Sequence, residues 1–278
     1  MRRRAIERRL AETVRENRFT IAVVFPLVGV VLLIAGTQGY LPPALATNPY
    51  LIVGANLVMV SPLIAGLLPL VGRRAALGLA VLALFTWGIE LVGVRTGWPY
   101  GEFAYELALG PMLFGEVPLA LPVFFFPILL NSYLLCLLLL GPRGRSLVVR
   151  LPATLAVVLT MDLVLDPGAV ALGFWAWEDP GAYYGVPAIN YAGWILSGSI
   201  ALALIERSFD ADAVRRRLSE CEFMLDDLVS FVLFWGLVNA YVGNWIPFVL
   251  AIGLAVGLIR ADRFDYAVLG ERFAATGR

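Results

Sequence analysis

The chain has 278 residues, 60% of them hydrophobic, and a mean hydropathy of +0.83. That excludes an ordinary soluble domain and indicates a polytopic membrane protein. The 21 basic residues are balanced by 21 acidic ones, so no nucleic-acid footprint is expected. Every basic residue is Arg and the chain has no His. Histidine-ligated haem, His-box di-iron chemistry and a His general base are therefore excluded. Cys136 falls mid-span and Cys221 in an Arg-rich loop, a poor setting for a disulfide.

In chain order, Met1–Arg18 carries seven Arg and three Glu and reads as a short amphipathic lead-in (1–18). Phe19–Tyr40 is an apolar run of spanning length, about 20 residues. Its apolar core is too long and its leader too charged for a signal peptide cleaved after Ala44-Leu45-Ala46. Further spans are expected over Tyr50–Val71, Ala75–Val94, Val117–Leu140, Leu147–Leu165 and Asn190–Ile205. Between them lie two aromatic, Gly- and Pro-containing loops, 95–116 and 167–189. An Arg-, Asp- and Glu-rich linker, Glu206–Asp227, reads as a solvated cytoplasmic helix, with Asp226 and Asp227 exposed near the headgroups or, as the lesser alternative, in a structural ion pair to an Arg. Leu228–Tyr241 and Trp245–Ile259 form a last pair of short spans or a re-entrant hairpin. The fold expected is an all-α transmembrane bundle of about eight spans, six or seven as the fallback, over residues 19–260, with a tail at 261–278.

With both termini in the cytoplasm, the Arg at 73–74, 143–150, 207–217 and 260–278 all fall inside. Of 21 Arg, 20 then obey the positive-inside rule and only Arg95 does not. A multi-pass cell-membrane protein is expected.

The chemistry centres on Met161–Val170, where Asp162 and Asp166 stand four residues apart, on one helix face. Pro167 and Gly168 are expected to stop that helix. Burial and the helix dipole both disfavour a pair of charges there. Such carboxyls act as acid catalysts, cation ligands or a proton path, or are the solvated end of a span. Glu90 lies as far past Ala75 as Asp162 lies past Leu147, each about 22 Å up its helix. The three acids can share one level, and ionisable groups at that depth mark functional sites. Asn131, with Ser132 beside it, can join them. The two loops resemble each other, as an internal duplication or as interface aromatics gathered independently.

The run from Trp87 to Trp194 resembles the integral-membrane carotenoid hydratases. The matching elements are Glu90, Thr96-Gly97-Trp98-Pro99-Tyr100-Gly101, Tyr105, Gly110-Pro111, Val117-Pro118 and Pro122. They continue with Asp162, Asp166-Pro167, Trp175, Trp177, Tyr184-Gly185-Val186-Pro187, Asn190 and Gly193-Trp194. This covers the middle 40% of the chain; Tyr100 replaces a frequent Phe and keeps the ring. The resemblance implies addition of water across a terminal double bond of an acyclic C50 or C40 carotenoid held in the bilayer. Isoprene hydration needs an acid, a tolerated tertiary cation and a positioned water, and no metal or redox cofactor. Asp162 or Asp166 is the expected acid, with its partner or Glu90 orienting water. Trp98, Tyr100, Tyr105, Trp175, Trp177, Tyr183 and Tyr184 are expected to line the end-group pocket, and Asn190 or Asn131 to hold the water. Other carotenoid biosynthesis enzymes are candidate partners. Rival readings are an intramembrane prenyltransferase, a carotene cyclase, a proton-coupled small-solute transporter and a non-catalytic pigment-binding or assembly protein.

Overall fold

The computed structural model describes residues 2–264, apart from 43–44, 46–47 and 108. Ala44 and Ala46 of the 44–46 tripeptide and the 265–278 part of the tail therefore lie outside the described residues. The fold is an all-α polytopic bundle. Among the described residues, seven helical stretches are long and apolar enough to cross a membrane, and an eighth apolar helix is shorter.

Helix α1 (Arg2–Glu16) is amphipathic and buries Val14. A π-helical turn, Thr20–Val24, leads into α2 (Phe25–Thr37). There follow α3 (Pro49–Leu67), α4 (Arg73–Thr96), α5 (Leu121–Leu139), α6 (Leu147–Ala171) and α7 (Ala188–Ser208). Then come α8 (Ala211–Glu220), α9 (Asp226–Val242) and the 16-residue α10 (Trp245–Arg260). Contacts made by arginines at the helix ends gather them at one end of the bundle, and the paired aromatic loops mark the other.

The arginine end is tied together through backbone carbonyls. Arg3 donates to Val71 O at 2.6 Å, Arg74 to Arg207 O at 2.5 Å and Arg217 to Gly66 O at 3.0 Å. Arg150 pairs with Glu206. At the other end Arg95, the exception to the charge rule, meets Glu116 at 2.9 Å. Hydrogen bonding from Arg95 holds that carboxyl below its usual value.

Proline inside a helix frees the carbonyl four residues earlier, and side chains on other segments answer three of these carbonyls. Pro127 frees Val123 O, which accepts from Asn56 Nδ2 at 3.0 Å. Pro167 frees Leu163 O, which accepts from Tyr183 Oη at 3.2 Å. Pro26 follows the π-helical turn, whose bonds reach back five residues, and there the freed carbonyl is Ile21 O, which accepts from Ser230 Oγ at 3.3 Å. Such tertiary repair is what lets spanning helices keep proline.

This repair corrects one expectation. Pro167 and Gly168 do not stop the helix; α6 runs on to Ala171 and turns at Gly173, where φ is +72°. Two further expectations fail in the linker. Helix α8 is not simply solvated, because Val214 and Leu218 are buried beneath the bundle. Asp226 and Asp227 are buried rather than exposed. Arg18 holds Asp226 at 2.8 Å, and Asn131 holds Asp227 at 2.6 Å. Both acids sit in the first turn of α9, the end of the helix dipole that favours negative charge.

The two aromatic loops are joined. Strand β1 (Phe103–Tyr105) pairs antiparallel with β4 (Trp175–Trp177), setting Phe103 opposite Trp177 and Tyr105 opposite Trp175. A smaller pair, β2 (Met112–Leu113) with β3 (Val117–Pro118), moves the start of the fourth span from Val117 to Leu121.

Candidate active site

The acids come together where α4, α6 and α7 meet beneath the β1–β4 pair. Asp162 and Asp166, one turn apart on α6, are both buried. Asn190, in the first turn of α7, bridges them with one amide nitrogen, donating to Asp166 Oδ2 at 2.6 Å and to Asp162 Oδ2 at 3.2 Å. On α4, Glu90 accepts a hydrogen bond from Tyr105 Oη, contributed by strand β1. Burial, reinforced by the neighbouring Glu90 carboxyl, holds the Tyr105 phenol well above its ordinary value. Tyr105 therefore remains a proton-bearing donor.

Small residues allow the approach. Gly193 on α7 faces the Tyr100 ring and the Pro99 carbonyl; a Cβ there would lie 2.5 Å and 2.7 Å from them. Gly93 on α4 takes the other side of Tyr100, where a Cβ would lie 2.9 Å from the ring. Tyr100 is thus clamped between two helices, and its own carbonyl accepts from Trp177 Nε1 at 2.9 Å.

Glu90, Asp166 and Asn190 line a cavity of about 320 Å³, within the range of small-ligand sites. Tyr100, Phe103, Tyr105, Trp175 and Trp177 form its roof. Phe125 and Trp194, stacked at 5.0 Å between ring centres, form one wall, and Trp235 of α9 lies on another. Leu32, Leu45 and Leu51 also line it while being more than half exposed, which marks the opening on the α2–α3 side. Asp162 sits one turn deeper, outside the lining. Behind the pair, Asp162 Oδ1 and Tyr191 Oη are buried without a hydrogen-bond partner among the described residues, and the buried Tyr100 Oη and Ser197 Oγ lie near each other.

Four of the expected lining aromatics, Tyr100, Tyr105, Trp175 and Trp177, do face the cavity. Three do not. Trp98 is 56% exposed on the surface. Tyr183 serves the Leu163 carbonyl. Tyr184, with φ at +52°, accepts from the free Ile246 N–H at the start of α10 at 3.3 Å. Asn131 lines the cavity but bonds Asp227, not the α6 acids. Sequence reading missed Asp227 itself. Asp227, Ser230, Phe231 and Phe234 lie at helical spacing and all line the cavity, a stripe that period analysis would have detected.

A search of known protein families matches residues 47–258 to the family described as carotenoid biosynthesis protein. The chain is 62% identical over 253 residues to the bisanhydrobacterioruberin hydratase of Haloarcula japonica, covering 91% of this chain and 86% of that protein. No solved structure matches it. The chain belongs to the family of integral-membrane carotenoid biosynthesis proteins that contains the carotenoid hydratases.

Proposed function

We propose that this protein hydrates an acyclic C50 or C40 carotenoid at a terminal trisubstituted double bond, leaving a tertiary alcohol. The conversion of bisanhydrobacterioruberin to bacterioruberin is the reaction best supported by the relative it resembles. The structural observation that carries this reading is the carboxyl pair bridged by Asn190 at the edge of an aromatic cavity.

The chemistry follows from that setting. Asp166, which borders the cavity, gives its proton to the less substituted alkene carbon. The π pair forms the new C–H bond and leaves a tertiary cation. The ring faces of Tyr105, Trp175 and Trp177 stabilise that cation. Water adds to it through oxygen, and its surplus proton goes to the Asp166 carboxylate, directly or by way of Glu90. One water has then been added and the acid is restored. Asp162 acts through Asn190 as a positioning group and shares the pair's proton. The cavity admits one end of a polyene, entering from lipid between α2 and α3, while the rest of the chain stays in the membrane. The arginine end faces the cytoplasm in this reading, as the charge rule requires. Enzymes that make or elongate the carotenoid are its natural neighbours in the bilayer.

The test is expression in a host that makes an acyclic carotenoid. The expected product is heavier by one water, or by two if both ends react. A new pigment of unchanged mass would favour a cyclase, and no new pigment would overturn the assignment.

A further inference from the structure

The cavity has a second polar end that the reaction above does not use. Asp227 lies in the first turn of α9 and Asn131 midway along α5; both are buried and both line the cavity. Asn131 Nδ2 donates to Asp227 Oδ2 at 2.6 Å. Asn131 Oδ1 is buried without a partner among the described residues. A buried acceptor in that state is costly unless something donates to it.

The place of the pair in the bundle narrows what that donor is. Phe125 stacks on Trp194, one turn below Asn190, and Asn131 lies nearly two turns beyond Phe125. The pair is therefore about 15 Å from the Asn190 level, too far to touch an end group reacting at Asp166. It is close, however, to the arginine end. Asp226, the residue before Asp227, is ion-paired to Arg18 at 2.8 Å, and Arg18 reaches Glu222 at 3.5 Å. The Glu222 side chain is 79% exposed and that of Arg18 11%. Charged groups thus run from the surface to Asp226, which stands beside the cavity-lining Asp227 in the first turn of α9. At the opposite end the cavity is roofed by the aromatic strands.

We propose that Asn131 and Asp227 form a water-binding site, by which water enters the cavity from the arginine end. A buried water needs two to four polar partners. The free Asn131 oxygen and the Asp227 carboxyl supply two acceptors for its two hydrogens. The consequence for catalysis rests on the hydratase reading, since hydration consumes water in a membrane interior; the binding site itself does not.

The experiment is radiolytic hydroxyl labelling of the full-length protein in detergent, in ¹⁸O water, read by mass spectrometry. Phe231, one turn beyond Asp227 and lining the cavity, is the reporter; exposed Trp98 is the control. Wild type labels at Phe231. Asn131→Leu and Asp227→Leu lower that label about fivefold or more, the scale of losing a hydrogen-bonded partner, with Trp98 unchanged. Asp227→Asn, which keeps a polar group, retains most of it. An unlabelled Phe231 in wild type, or equal labelling in the Leu variants, overturns the proposal. So does a change at Trp98 in both Leu variants, which would make the pair a support of the fold. Product analysis is read separately. With less water at hand the cation loses a proton instead, so the variants release more isomerised alkene. Absence of any hydrate from wild type would remove the hydratase reading and leave the labelling result standing.

Discussion

Asn190 donates to Asp166 at 2.6 Å, joining the first turn of α7 to the last part of α6. The same amide nitrogen reaches Asp162. An amide held this way fixes both carboxyls and orients one of them toward the cavity.

Removing the acids tests the chemistry. Asp166→Asn is expected to lower hydrated product at least about hundredfold, the range for loss of a general acid. Glu90→Gln and Asp162→Asn also abolish it in this account. Membrane insertion, read by detergent extraction and gel filtration, stays as in wild type. If all three variants retain full activity, the assignment of the acids fails.

Tyr105→Phe removes the donor to partly buried Glu90. The expected cost is about 1–3 kcal/mol for an acceptor left without its partner, together with reduced turnover. Thermal unfolding in detergent and product yield measure the two effects.

Tyr183 offers the opposite outcome. It serves the carbonyl freed by Pro167 rather than the cavity. Tyr183→Phe should cost about 1 kcal/mol of stability and leave carotenoid affinity within about twofold. A specific loss of carotenoid binding would restore it to the pocket.

The glycine clamp predicts a steric effect. Gly193→Ala forces Tyr100 and the Pro99 carbonyl away from α7, a strain of about 1–3 kcal/mol. Gly88→Ala on α4, where a Cβ meets nothing within 4 Å, should leave the melting temperature unchanged or raise it slightly.

At the arginine end, Arg18→Gln leaves Asp226 buried without its guanidinium. Breaking a buried pair from one side costs about 3–5 kcal/mol. At the aromatic end the Arg95–Glu116 pair is exposed, and its effect has a defined sign. The Glu116 carboxyl is lowered by Arg95. Its small contribution is therefore present above the ordinary carboxylate range and disappears as pH falls through the lowered value. The stability difference between wild type and Glu116→Gln, followed by acid titration, should vanish at low pH.

The acid cluster was legible because its signal is local. Asp162 and Asp166 are one turn apart, and counting rises along two apolar runs puts Glu90 at their depth. Seven spanning stretches were legible for the same reason, although the last helix is only 16 residues long. What escaped depends on partners distant in sequence. Nothing near Pro167 shows that the Tyr183 hydroxyl will replace the lost backbone bond. Asp226 and Asp227 read as exposed because their neighbours are charged, yet Arg18 and Asn131 come from far away in the chain to hold them. The pairing of the two loops is likewise tertiary: their similarity was visible, but not the edge-to-edge register of Tyr105 with Trp175.

The most direct test is turnover of an acyclic carotenoid by the purified protein in ¹⁸O water, compared with Asp166→Asn. The account predicts a wild-type product with one added water per reacting end, ¹⁸O in its hydroxyl, and none from the variant. Product of unchanged mass, or oxygen that carries no solvent label, would contradict it.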